Sequence, residues 1–134
     1  MYFAVIDTNV LISALLSKKP DTATVKILRK ILDGTIRPLF NEKILEEYDD
    51  VFHRPQFHLQ EKTIQKVFNA IQQFGIEMEP EPSTAEMIDE DDRIFLDTAA
   101  MKEGTFLITG NTKHFPKLSF IVTPAQMLDV IEII

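Results

Sequence analysis

The stretch Tyr2-Phe3-Ala4-Val5-Ile6-Asp7-Thr8-Asn9-Val10-Leu11-Ile12 decides the fold class of this chain. Its short apolar run, rich in β-branched and aromatic side chains, predicts a buried strand over residues 2–6 with Asp7 at the C-terminal end. In open α/β sheets ligands bind beyond that end of the strands. A carboxylate buried there is costly unless a cation meets it. Asp7 also has an ordinary reading as the N-cap of a helix over about 9–17, because Asp, Thr and Asn all accept hydrogen bonds from a first helical turn. On this stretch alone the two readings weigh equally.

Outward from it, strand and helix alternate. After the Lys18-Lys19-Pro20 loop, Asp21 or Thr22 caps a second helix reaching about Asp33, with Val25, Leu28, Ile31 and Leu32 predicted on its inner face and Gly34 closing it. Ile36–Phe40 reads as a strand. Asn41 then caps a third helix, in which Ile44, Leu45, Tyr48, Val51 and Phe52 recur at helical spacing until Arg54-Pro55 stops it. A fourth helix fits residues 61–74 around Ile64, Val67, Phe68 and Ile71, and a short strand follows over 76–78. Pro80-Glu81-Pro82-Ser83 is a loop. The acidic run Asp89-Glu90-Asp91-Asp92 leads into a helix carrying Ile94, Phe95, Leu96, Ala99 and Ala100, ended by Gly104. Phe106–Ile108 and Ile121–Val122 are strands, and Pro124 opens a last helix at its first position. Strands separated by helices predict an α/β fold in three layers, a mostly parallel sheet of about four to five strands with helices on both faces.

The 134 residues are enough for one domain, 1–134, with a core that needs no staples. There is no cysteine, which excludes disulfides, thiolate metal sites and a cysteine nucleophile, and a reducing cytoplasm is the expected compartment. Three scattered histidines argue against structural zinc. No apolar stretch approaches the roughly 20 residues of a membrane helix, and the first strand carries neither a charged leader nor a cleavage site. The net charge of −7 argues against nucleic acid on its face. It ceases to do so if the acids are gathered where divalent cations bridge them to phosphate.

Two further acids favour such a gathering. Glu47 falls three residues after Ile44 and four before Val51, on the apolar stripe of the third helix, whereas Glu46, Asp49 and Asp50 fall toward solvent. Acids crowd helix N-termini for electrostatic reasons, yet four in succession at 89–92 exceed that need. Asp92, three residues before Phe95 and four before Leu96, points toward the sheet and ranks above Asp97. The turn Thr109-Gly110-Asn111 ends another strand and therefore belongs beside Asp7. Oxygen-only ligands suit Mg²⁺ or Mn²⁺ rather than zinc. A dehalogenase-like phosphatase, with Asp7 as nucleophile, wants a second Asp where Asn9 stands. A receiver domain wants an acid at the end of a central strand, and none is found.

The ordered set Asp7-Thr8-Asn9-Val10-Leu11, Leu45-Glu46-Glu47-Tyr48 with Arg54-Pro55, Asp91-Asp92-Arg93-Ile94-Phe95-Leu96-Asp97-Thr98-Ala99 and Leu107-Ile108-Thr109-Gly110-Asn111 resembles the PIN domain. It is most similar to the VapC-type toxins of bacterial and archaeal toxin–antitoxin pairs. The resemblance implies a metal-dependent endoribonuclease in which Asp7, Glu47 and Asp92 bind Mg²⁺ or Mn²⁺. The fourth acid of many members falls at Asn111, so the resemblance leaves a neutral carbonyl there, with Asp97 as an alternative carboxylate. It further implies that Thr8, Asn9 and Thr109 orient the acids, that the clustered carboxylates have raised pKa values, and that Arg93, Lys113 and Lys117 meet the RNA backbone. An antitoxin protein, and a second copy in a homodimer, are the implied protein partners. A scaffold that binds protein or RNA without cleaving, and a processing nuclease outside any toxin–antitoxin pair, are the alternatives.

Overall fold

The computed structural model describes residues 1–132; residues 133–134, the end of the predicted 1–134 domain, lie outside them. Five strands, β1 (Tyr2–Ile6), β2 (Ile36–Phe40), β3 (Ile76–Glu77), β4 (Phe106–Ile108) and β5 (Ile121–Val122), pair in the order β3-β2-β1-β4-β5. Every pairing is parallel, so the sheet is wholly rather than mostly so. The apolar run of β1 is explained by this placement: Ala4, Val5 and Ile6 are fully buried between neighbours on both sides. The chain builds outward through β2 and β3, then crosses back to add β4 and β5 on the other side of β1. The reversal sets the C-terminal ends of β1 and β4 side by side, the place where open α/β sheets bind ligands.

The main helices are α1 (Thr8–Leu16), α2 (Ala23–Leu32), α3 (Glu42–Phe52), α4 (Glu61–Phe74), α5 (Arg93–Ala99) and α6 (Pro124–Glu132). α2 packs with α4 and α6, while α5 lies on β1, β2 and β4 with α3 beside it, and α1 touches both α2 and α3. These groups make the outer layers of the three-layer α/β fold. α3 is locked in place by stacked Tyr48 and Phe52, with Phe95 of α5 against Tyr48. Asn41 caps it as predicted, accepting from the Ile44 N–H at 3.0 Å, and its amide reaches Thr98 of α5 at 2.8 Å.

Three predicted details are corrected. The inner face of α2 centres on Ile27 and Ile31, and Leu32 is 48% exposed, because the helix is embraced by α4, α6 and α1 rather than by the sheet alone. The acids at 90–92 form a separate 3₁₀ turn, and α5 starts only at Arg93 and stops at Ala99, leaving Ala100 outside as its C-cap. Gly104 does not end that helix; at φ +83° it turns the chain toward β4.

Gly75 marks the closest backbone approach. It follows α4, and a Cβ there would strike the Ile71 carbonyl, the Pro38 carbonyl and the Phe40 ring. Gly75→Ala is expected to destabilise the protein by about 2 to 3 kcal/mol through overpacking against backbone that has nowhere to move, read as a lower urea midpoint at unchanged slope.

Candidate active site

Asp7 occupies the N-cap position of α1 but makes no capping hydrogen bond there. The carboxylate turns instead to the neighbouring strand, where the Thr109 hydroxyl donates to Oδ2 at 2.7 Å and the Asn9 amide donates to the same oxygen at 3.3 Å. The two turns are tied further, as Gly110 N–H donates to Asn9 Oδ1 at 3.1 Å and Asn111 N–H to Thr109 Oγ1 at 3.0 Å. Below, the Tyr48 hydroxyl donates to the Ile6 carbonyl, fixing the residue before Asp7. Asp7 is only 6% exposed. Burial raises its pKa, against the pull of Thr109, of the Thr8 and Asn9 N–H groups and of His114.

Asp92 ends the 3₁₀ turn and likewise makes no capping hydrogen bond to α5. Burial, then the charge of Asp7, push its carboxyl up to about 6, with Asp89 and Asp91 adding to this and His114 opposing it. Glu47, half-buried on α3, is raised by burial and then by Asp91 and Asp50, with Asp7 contributing from across the site and Arg54 opposing. Glu46, Asp49 and Asp50 are exposed, as the helical pattern predicted. Glu47 and Asp92, from segments far apart in the chain, thus both sense the charge of Asp7 at one end of the sheet.

The remaining predicted residues separate. Thr109 and Asn9 hold Asp7, whereas the buried Thr8 hydroxyl has no partner and orients nothing. Asp97 is buried with Oδ2 accepting from Ser83 N–H at 3.1 Å, and it faces a cleft of about 640 Å³ beside α3 together with Glu47, not Asp7. Its Oδ2 anchors the 80s loop and its buried Oδ1 has no partner, on the α3 side and not beside Asn111, which is exposed beyond Thr109. Arg93 is spent: its five N–H donors meet Glu90 at 2.7 and 2.8 Å, the Ser83 carbonyl and hydroxyl at 2.9 and 3.0 Å, and the Ala85 carbonyl at 2.7 Å. None is left for a phosphate. Lys113 and Lys117 are exposed beside β5 and line a second cavity.

His114 is the residue the sequence reading missed. Its Nδ1 lies 3.7 Å from Asp92 Oδ2, and its charge acts on Asp7 as well. The available signal was its position three residues past Asn111, on the 3₁₀ turn Thr112–His114 that continues the polar end of β4.

Among the described residues no three His, Asp or Glu side chains are drawn close enough to form a ready cage. The donor set nevertheless fits a hard divalent cation in its chemistry: it is oxygen-only, partly desolvated, mutually repelling, and neither Asp7 nor Asp92 is ion-paired to lysine or arginine. The sequence profile described as PIN domain matches residues 4–113, from β1 through Asn111 to the turn beyond it. The chain belongs to the PIN domain family. No curated protein matches it. PIN domains are generally nucleases that use divalent metal ions, and this PIN domain presents Asp7, Glu47 and Asp92 within the matched stretch. No helix among the described residues of the PIN domain is long and apolar enough to cross a membrane.

Proposed function

We propose that this PIN domain is a Mg²⁺- or Mn²⁺-dependent endoribonuclease acting in the cytoplasm as the toxin of a VapC-type toxin–antitoxin pair, with RNA and an antitoxin protein as its partners. The observation that carries the reading is that burial raises the pKa values of Asp7, Glu47 and Asp92 together, with the charge of Asp7 adding to the rise at the other two. Structural ion pairing lowers carboxyl pKa values, as at Glu90 beside Arg93. The opposite direction at all three acids is the mark of a site awaiting positive charge. A bound divalent ion supplies an activated water near neutral pH and offsets charge on the phosphate oxygens. Asp7, Glu47 and Asp92 would hold it, and Asn111 offers only a neutral carbonyl on the β4 side. Thr109 and Asn9 keep Asp7 in one orientation, so the carboxylate would meet the ion without reorganising.

The direct test is calorimetry with Mn²⁺ together with cleavage of single-stranded RNA. Wild type is expected to bind the ion and to cleave in proportion, and Asp92→Asn to lose both. Unchanged metal affinity and unchanged cleavage in Asp92→Asn would instead favour a scaffold acting by binding alone. For the toxin role, expression of the wild-type chain is expected to arrest bacterial growth and Asp92→Asn to relieve the arrest. Metal-dependent cleavage without growth arrest points to an RNA-processing nuclease.

A further inference from the structure

We propose that the single-stranded RNA leaves the carboxylate cluster on the β5 side, where the cavity bounded by Lys113, Pro116, Lys117 and Leu118 is a subsite for one of its nucleotides. The inference rests on the nuclease reading and adds the path of the substrate.

Charge decides the side. Two cavities lie along the elements that surround the acids, one against α3 and α5 and the other on the turn that follows β4. The one beside α3, reached through Glu47 and Asp91, is lined by seven carboxylates, Glu42, Glu46, Glu47, Glu79, Glu90, Asp91 and Asp97, against Lys43 and an Arg93 whose donors are all engaged. Away from a metal held by Glu47, a phosphodiester backbone is repelled there. The second cavity, about 570 Å³, has no acid in its lining although the chain carries 21 acidic residues. Its two lysines form no ion pair among the described residues, so their charge is directed to solvent and to whatever enters.

The walls suit a nucleotide rather than a bare anion. Buried Phe115 supports a surface of Pro116 and Leu118, the latter 43% exposed, against which a base or ribose can lie. Gln126 accepts the Thr123 N–H with Oε1 at 2.9 Å, which leaves its amide N–H groups as donors at the cavity wall. The cavity also connects to the reacting edge through a single short turn. Within Thr112–His114, His114 reaches Asp92 at 3.7 Å while the adjacent Lys113 lines the subsite. The turn thus joins the carboxylate edge to the cavity of the two lysines, to which the next nucleotides of the strand are assigned.

The test compares two charge-matched pairs of variants by fluorescence anisotropy in Mn²⁺ of a labelled oligouridylate of about 12 nucleotides with cleavage-resistant phosphorothioate linkages. Lys113→Glu with Lys117→Glu is expected to weaken binding at least about tenfold and to lower the salt slope by about one to two. Lys18→Glu with Lys19→Glu, exposed at the far end of α1, makes the same change in net charge and is expected to leave binding within about twofold of wild type. Equal losses in the two pairs, no loss in either, or no binding by wild type overturns the subsite. Mn²⁺-stimulated cleavage by wild type in any of those cases leaves the nuclease reading standing. Absence of Mn²⁺ binding by wild type overturns that reading and the subsite with it.

Discussion

Asp7→Asn is expected to abolish metal-stimulated cleavage while making the metal-free protein more stable. Asparagine keeps the shape of the side chain, and its Oδ1 can accept from Thr109 and Asn9 as Asp7 Oδ2 does. What disappears is a buried negative charge that raises the pKa of both Glu47 and Asp92. Relief of that repulsion and of the desolvation of Asp7 itself contributes on the order of 1 to 2 kcal/mol, seen as a melting temperature higher by several degrees in chelator. Cleavage should fall by more than about a hundredfold, the upper range for removing a residue that merely supports a ligand. A lower melting temperature in the variant would instead mark Asp7 as a structural acid whose charge the fold uses.

The metal-free protein is expected to be more stable near pH 5 than near pH 7.5, and Mn²⁺ is expected to reverse the order. The Asp92 carboxyl is raised from 3.8 to about 6 in the folded state. A raised folded-state value means that the fold favours the protonated form, so its stabilisation is complete below about 4 and is lost as pH climbs through about 6. For Asp92 the difference is on the order of 2 kcal/mol, and Asp7 and Glu47 add to it in the same direction. Asp33, Glu61 and Glu90 are lowered, so their contributions fade only at pH values below this window and do not mask it. Differential scanning fluorimetry across pH, with and without Mn²⁺, reads both halves. A metal-free melting temperature that rises steadily from pH 5 to 7.5 would refute the strained cluster.

Much of this was legible before any coordinates. β1, β2, the Asn41 cap and the strand-ending Thr109 turn follow from local pattern, because a buried parallel strand needs an unbroken apolar run and a helix start needs an acceptor at one position. Glu47 stood out because a carboxylate on an apolar stripe has no local reason to be there. Local pattern failed where neighbours decide. Leu32 and Ile27 are equally apolar, and only the packing of α1, α4 and α6 around α2 chose Ile27 for the core. Arg93 read as a free cation beside the site, yet the 80s loop folds back and takes all five of its donors. Asp97 read as a spare ligand, and the same loop takes one of its two oxygens through Ser83.

By itself, then, the sequence determined the α/β class and the parallel sheet, since each is written in spacing a few residues long, and it singled out Asp7, Glu47 and Asp92 as candidates. Only the tertiary structure decided whether Asp7 caps a helix or faces a site. The strand order places β4 beside β1, and that puts the Thr109 hydroxyl, 102 residues away in the chain, within 2.7 Å of the Asp7 carboxylate. The same long-range pairing brought in His114 and set the basic cavity on one flank and the acidic cleft on the other. Charges act through space, and their distances were not in the chain until the sheet closed.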